Sequence, residues 1–411
     1  MPLDAVGCRL TVPGLSILAI PGVTPFGPAL GLRVKIIWTA SGNPPRIITE
    51  IDKLKDCIIM AEYRVGVLGA TGTVGQKFIH LLRDHPWFRV TALGASERSA
   101  GKTYREATNW VEATPMPDEI AEMTVITCDP ERMDVDFVFS GLDAAIAGDI
   151  EKAFAEAGKP VITNARVYRQ HETVPLMVPE VNPDHIALID DQEFDPNGHG
   201  FIVTNPNCVC IPLTMALKPI WDAFGVESVI LTSMQAVSGA GYPGVPSLDI
   251  LGNIVPYIGG EEEKIALEPM KLLGKLENNR VTFADFPIQA AATRVPVVDG
   301  HLLSVTAKLK NYPGSIEKVK EAVRNWKSPI ADLNLPSAPA EPVHLYDDPR
   351  YPQPRHHALA ANGLQVGMGR LRESKVLDIA FTALGHNTIR GAAGCSILNA
   401  ELLHAKGYLR R

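Results

Sequence analysis

The chain has 411 residues, 46% hydrophobic and 21% charged, with Lys plus Arg at 39 against Asp plus Glu at 46. That length holds roughly two or three domains, and the composition excludes collagen-like, mucin-like and wholly disordered chains. The formal net charge of -7 repels nucleic-acid phosphates, and six cysteines without a CxxC pair argue against zinc ribbons and a secreted disulfide framework, so a cytoplasmic protein is expected.

The first 59 residues read differently from the rest. Leu10 to Leu32 carries no charge, but Pro13, Pro21, Pro25 and Pro28 would break a membrane helix repeatedly. Only Arg9, behind Asp4, precedes that stretch, so the basic start of a secretory signal is missing. No membrane partner is expected. Met60 stands just before the first clean strand pattern, and residues 1–59 read as an upstream extension, disordered or non-native, and dispensable.

Arg64 to Leu68 reads as a strand, followed at once by Gly69, Gly72 and Gly75 and then by a helical pattern through Val74, Phe78, Leu81 and Leu82. A strand, glycine turn and helix let a pyrophosphate approach backbone N–H groups and a positive helix end, where larger side chains would block it. Thr71, Thr73 and Val74 share that turn and complete the expected cofactor contact. About 20 residues on, an acidic side chain would hold the ribose of NAD, whereas cationic and hydroxyl side chains suit a 2′-phosphate. The chain reads Ser96, Glu97, Arg98, Ser99 there, with Lys102 close behind, which favours NADP over NAD.

Val135 to Ser140 and Pro160 to Thr163 read as further strands around a helix near Ile150 to Ala157. Alternation of this kind predicts an α/β, Rossmann-type doubly wound sheet.

Thr204 to Cys210 reads TNPNCVC, with a strand pattern in Phe201 to Val203 before it and a helical pattern through Leu213, Leu217 and Ile220 after it. Cys208 thus falls at a helix start, where the dipole favours the thiolate. Position alone leaves a reactive cysteine and a merely buried one both open. Cys210 lies about 200° further round the helix and reads as packing.

PNCVC, then QAVSGAG at Gln235 to Gly241 and RVPVVDGH at Arg294 to His301, together resemble aspartate-semialdehyde dehydrogenase of the archaeal and fungal type. SERSAGK from Ser96, VPEVN ending at Asn182, EEEK ending at Lys264 and NTIRGAAG from Asn387 fall in the same order. The resemblance runs from about Tyr63 to the C-terminus. It implies an NADP-dependent reductive dephosphorylation of β-aspartyl phosphate to the semialdehyde, a step toward Lys, Met and Thr.

Each role the resemblance implies has a physical reason. Cys208 would attack the acyl phosphate and carry a thioester, with His301 as general acid and base and Gln235 orienting the acyl group. Arg294 would grip the α-carboxylate and Glu262 the α-ammonium. Arg169 and Lys264 would hold the phosphate, and Asn207 would help bind an oxyanion or phosphate. Ser238, Gly239 and Asn387 would approach the nicotinamide. Read without the resemblance, Glu261 to Lys264 is a solvated helix face.

The expected division places an NADP-binding domain at 60–206 and 388–411 and an α+β catalytic and dimerisation domain at 207–387, in a homodimer or homotetramer. Leu335 to Arg355, with six prolines, reads as an extended arm, and His356 and His357 have no evident role; no metal site is expected. The rival readings are a malonyl-CoA reductase on the same fold, an N-acetyl-glutamyl-phosphate reductase, which would not require Glu262, and a non-catalytic NADP-sensing subunit.

Overall fold

The computed structural model describes residues 63–410, together with two strand pairs ahead of them, Thr11–Val12 with Leu15–Ser16 and Val34–Ile37 with Arg46–Thr49. Apart from those strands, the expected extension at 1–59 lies outside the described residues. Contacts divide the chain into residues 1–62 and residues 63–411, and the second unit carries two six-stranded sheets.

Its first sheet is built of β1 (Tyr63–Leu68), β2 (Phe88–Ala95), β3 (Ile126–Thr127), β4 (Phe137–Ser140), β5 (Val161–Thr163) and β6 (Ile202–Thr204). All neighbours pair in parallel, in the order β3-β2-β1-β4-β5-β6. This is the doubly wound dinucleotide-binding order, with its switch point between β1 and β4. Every residue of β4 is buried, as a parallel strand covered on both faces requires. Helices α1 (Thr73–Leu82) and α2 (Ala144–Glu156) follow β1 and β4. The expected strands and the helix at 150–157 are therefore present, with boundaries moved by one to six residues.

A second sheet holds β7 (Val226–Gln235), β8 (Ile288–Arg294), β9 (His301–Leu309), β10 (Val343–Tyr346), β11 (Val366–Glu373) and β12 (Ile379–Gly385), in the order β8-β7-β9-β12-β11-β10. It is mixed: β7 pairs β8 in parallel, and β9 antiparallel. Along β9, side chains alternate, so His301, Leu303, Val305, Ala307 and Leu309 all point into the core. Helices α3 (Cys210–Phe224), α4 (Glu261–Leu272) and α5 (Ile316–Asn325) contribute Leu213, Leu217, Ile265, Leu272, Val319 and Val323 to that core. The opposite face leaves Ile230, Thr232, Gln289 and Ser304 exposed.

The final helix, α6 (Gly394–Ala405), buries Ile397, Leu398, Leu402 and Leu403 in one cluster with Val65 and Val67 of β1. The chain thus returns to the first sheet after completing the second. Within the stretch from Leu335 to Arg355, Val343–Tyr346 pairs with β11 and Leu335 is buried in the first core. His357 accepts from the Gln353 N–H at 3.0 Å and packs between Tyr346 and Tyr351, which makes it a brace for this turn.

Candidate active site

The nucleotide turn is built by close approach. Gly69 has a φ of +72°, and a Cβ there would lie 2.8 Å from the Gly141 carbonyl oxygen across the switch point. A Cβ on Gly75 would stand 2.3 Å from the Gly69 carbonyl, so the turn and the helix close only with hydrogen there. No side chain caps α1 at Gly72, which leaves the first-turn N–H groups around Thr73 and Val74 to meet an anion. Gln76, 2% exposed, donates to the carbonyls of Thr71 and Asn109 and fixes the loop. Ser96 and Arg98 are exposed, with Ser99 beside them, in the turn that leaves β2. These residues fit a dinucleotide: a cradle that a Cβ would fill, an uncapped helix end, and a cation with hydroxyls after the second strand.

Cys208 sits between β6 and α3. Its Sγ lies 3.2 Å from Nε2 of His301, which is 93 positions away and is the first residue of β9. The strand register explains the gathering. Gln235 pairs with Arg294 across β7 and β8, and Met234 pairs with Leu302 across β7 and β9. Gln235, Arg294 and His301 therefore share one end of the sheet, all pointing inward and all buried.

The electrostatics differ from the helix-dipole expectation. Burial, with Glu261 nearby, pushes the Cys208 thiol up to about 12, against the pull of Arg169, Arg294 and Lys264. Burial, with Arg294, pushes His301 down to about 3. The resting pair is thus a thiol and a neutral imidazole, because burial disfavours the charged form of each. The Ala236 N–H donates to Nδ1 of His301 at 3.0 Å, so the one ring proton resides on Nε2, facing sulfur. His301 is set to donate to Cys208; accepting the thiol proton in this ring orientation would require the ring proton on Nδ1, against the Ala236 N–H.

Helix α4 supplies the charged wall, with a correction to the expected residue. Glu261, not Glu262, faces the site: it accepts from Lys264 Nζ at 2.7 Å, from Asn207 Nδ2 at 3.0 and 3.1 Å, and from Gln235 Nε2 at 3.3 Å. Burial works to raise its pKa, but Lys264 and those side-chain amides hold its carboxyl below the usual range. Glu262 accepts from the Ala292 N–H of β8 at 3.0 Å and so satisfies an edge strand. Residues three apart share a helix face, so Lys264 selects Glu261 and turns Glu262 away.

Asn207 turns one side of its amide to Glu261, sharing Nδ2 between both carboxylate oxygens, and its Oδ1 accepts from the Val209 N–H, which leaves one Nδ2 proton for an anion. Gln235 donates Nε2 to Glu261 and to Ser233 Oγ, and its amide oxygen is not used in either contact. Arg294 donates Nη1 to the Ala236 carbonyl at 2.8 Å, its one side-chain hydrogen bond among the described residues. Arg169, 8% exposed, donates Nη1 to Glu268 and Nη2 to the Asn164 carbonyl, while its Nε is buried with no partner. A Cβ on Gly239 would come within 3.0 Å of both Arg294 Nη1 and His301 Cε1. Asn387 links this loop to the histidine, donating to Ser238 Oγ at 2.7 Å and accepting from the Gly300 N–H at 2.8 Å.

Four features carried no direct sequence signal. They are the Ala236 N–H, Glu268, the contact of Gly391 with Cys208, and the ion pair of Arg390 with Glu180 at 2.6 and 2.8 Å. That bidentate pair ties the glycine-rich segment before α6 to the VPEVN stretch. No group of three or more metal-ligating side chains occurs among the described residues, nor does any helix there have the length and apolarity to cross a membrane.

A doubly wound nucleotide sheet that sets a cysteine against a histidine, with arginine, lysine and glutamate around them, defines a nucleotide-dependent semialdehyde dehydrogenase. Residues 64–189 match the family described as semialdehyde dehydrogenase, NAD binding domain, and residues 217–390 match its dimerisation domain. The aspartate-semialdehyde dehydrogenase of Archaeoglobus fulgidus is 48% identical over 83% of this chain and 98% of its own, and that of Schizosaccharomyces pombe is 47% identical over 85% and 100%. A crystal structure of the Candida albicans enzyme with NADP superimposes with a TM-score of 0.77 at 42% identity, over 85% of this chain and 100% of that one. The chain belongs to the aspartate-semialdehyde dehydrogenase family. These relatives bear the name of neither rival reductase.

Proposed function

We propose that this chain carries out the NADP-dependent reductive dephosphorylation of L-aspartyl 4-phosphate to L-aspartate 4-semialdehyde, with Cys208 as nucleophile. The observation that carries this reading is the 3.2 Å approach of Cys208 Sγ to His301 Nε2 inside a ring of Arg169, Lys264, Arg294 and Glu261. Arg294 pairs with the α-carboxylate and Glu261 with the α-ammonium, while Lys264 and Arg169, with its unpartnered Nε, hold the phosphate.

Sγ attacks the acyl carbon, the bond from that carbon to the phosphate oxygen breaks, and a thioester forms on Cys208. The thiol proton leaves with the departing phosphate, a base at neutral pH, and Arg169 and Lys264 stabilise the charge on it. Bound NADPH supplies the hydride that reduces the thioester carbonyl. His301 Nε2–H donates to sulfur as it becomes thiolate, at attack and again when the carbon–sulfur bond breaks. Asn207 and Gln235 hold Glu261 in place. Asn387 and Ser238 fix the loop that carries Gly239 beside His301, and these residues would hold the nicotinamide. Ser96, Arg98 and Ser99 take the 2′-phosphate, and Gly69, Thr71, Gly72, Thr73, Val74 and Gly75 the pyrophosphate.

The division into a nucleotide domain at 60–206 and 388–411 and a catalytic domain at 207–387 is supported by the two sheets and by the packing of α6 on β1. A homodimer formed through the open face of the second sheet, around Ile230, Thr232 and Ser304, fits the match to a dimerisation domain. A cytoplasmic location follows from the metabolic role. The test is NADPH formation from L-aspartate 4-semialdehyde, NADP and phosphate, beside malonyl-CoA plus NADPH. Phosphate-dependent NADPH formation with silence toward malonyl-CoA supports the proposal; the reverse pattern overturns it.

A further inference from the structure

Helix α4 places Glu261, Lys264, Glu268 and Lys271 on one stripe, at spacings of three, four and three. Its second half takes no part in the proposed chemistry, yet Glu268 is 3% exposed and Lys271 is 1% exposed. Lys271 Nζ donates to the carbonyls of Arg169, His171 and Val174 at 2.8 to 2.9 Å, which pins the loop bearing Arg169. Glu268 uses both carboxylate oxygens. Oε1 accepts from Arg169 Nη1 at 2.7 Å, and Oε2 accepts from the Asn207 N–H at 2.6 Å. Asn207 is the residue directly before the nucleophile.

We propose that Glu268 is a positioning residue that joins the phosphate-binding arginine to the nucleophile, one oxygen aiming the Arg169 guanidinium and the other fixing the peptide that carries Cys208. This rests on the phosphate role proposed for Arg169. Two donors converge on this group, and only a carboxylate offers each an acceptor; an amide at the same place must turn its NH₂ toward one of them. With one proton each of Nη1 and Nη2 taken by Glu268 and Asn164, the guanidinium keeps its remaining Nη protons for the phosphate. Loss of the ion pair therefore costs phosphate affinity, and loss of the amide contact costs turnover.

The test is steady-state kinetics in the oxidative direction with inorganic phosphate as the varied substrate, for wild type, Glu268→Gln, Glu268→Asp and Arg169→Ala. Glu268→Gln is expected to raise KM for phosphate or lower kcat by at least tenfold, with NADP binding within twofold of wild type. Glu268→Asp, which keeps both acceptors on a shorter stem, is expected to recover part of the loss. A Glu268→Gln enzyme with wild-type KM for phosphate and wild-type kcat overturns the proposal, as does equal damage from Gln and Asp. If Glu268→Gln does not fold, Glu268→Asp decides alone: a raised KM for phosphate supports the proposal and a wild-type value overturns it. Arg169→Ala separates the two readings. An unchanged KM for phosphate there removes the phosphate site itself, whereas a raised KM beside an unaffected Glu268→Gln removes only the role of Glu268.

Discussion

Gly391 lies flat against Cys208: a Cβ built on it would stand 2.8 Å from the Cys208 Cβ and 3.1 Å from its Cα. Gly391 belongs to a π-helical turn, Ile389–Ala393, a form that recurs at functional sites, and the buried pair of Arg390 with Glu180 holds that turn in place. Gly391→Ala is therefore expected to displace the nucleophile by several tenths of an ångström and to lower kcat by about 100-fold, with NADP binding retained. Wild-type kcat in this variant would show that the contact relaxes harmlessly.

The two neighbouring glutamates of α4 separate cleanly. Glu261 faces Asn207, Gln235 and Lys264, whereas Glu262 serves the edge of β8. Glu261→Gln removes the charge that meets an ammonium and is expected to raise KM for the amino-acid aldehyde about 10- to 100-fold, the worth of a hydrogen bond to a charged group. Glu262→Gln is expected to stay within about twofold in kinetics. Steady-state measurements on both decide it, and the reverse order would return the ammonium to Glu262.

How far the sequence carried depends on where each signal is stored. The strand, glycine turn and helix at the start of the first sheet are local, so Gly69, Gly72 and Gly75 announce them directly. Cys208 and His301 were each legible by motif, but their contact spans 93 positions and depends on the registers of β7, β8 and β9. In the run Glu261 to Glu263 the choice turns on helix phase, and the spacing of three to Lys264 contained it. Glu268 carries no signal of its own, because nothing local reveals that Arg169 and the Asn207 N–H meet it. The Ala236 N–H is a backbone group with no side-chain signature, yet it decides the tautomer of His301.

Arg98 stands exposed in the turn after β2, between Ser96 and Ser99, where a 2′-phosphate would meet a guanidinium. Arg98→Ala is expected to weaken NADP about 10- to 100-fold and to leave NAD within about threefold. Titration of both nucleotides by fluorescence checks this. Equal losses for the two would remove Arg98 from the 2′-phosphate site.

Glu151 is fully buried beneath the ends of β4 and β5, where Ser140 and Thr163 donate to one of its oxygens at 2.7 and 2.5 Å. Burial raises its carboxyl from 4.5 to about 7. A raised folded-state pKa means that the folded protein binds the proton more tightly. That contribution is complete below about pH 4.5, is lost as pH rises through about 7, and amounts to about 3 kcal/mol. Urea unfolding of wild type and Glu151→Gln at pH 5 and pH 8 measures it. The stability of wild type relative to the variant is expected to fall by about that amount at the higher pH, and parallel curves would contradict it.

The resting state of the nucleophile gives the sharpest pH test. With the thiol pushed up to about 12 and the imidazole down to about 3, both by burial, Cys208 and His301 are uncharged between about pH 4 and pH 10. The Ala236 N–H reinforces this by keeping the ring proton on Nε2, so an imidazolium would have to place its second proton against a donor. Alkylation of Cys208 in the free enzyme by iodoacetamide, with Cys208→Ala as the blank, is expected to quicken about tenfold per pH unit up to pH 10, following the thiolate fraction. A plateau from about pH 6 would reveal a thiolate–imidazolium pair and reverse the assignment. His301→Ala is expected to slow thioester formation by about 10²- to 10³-fold, because the forming thiolate then loses the hydrogen-bond donor 3.2 Å away.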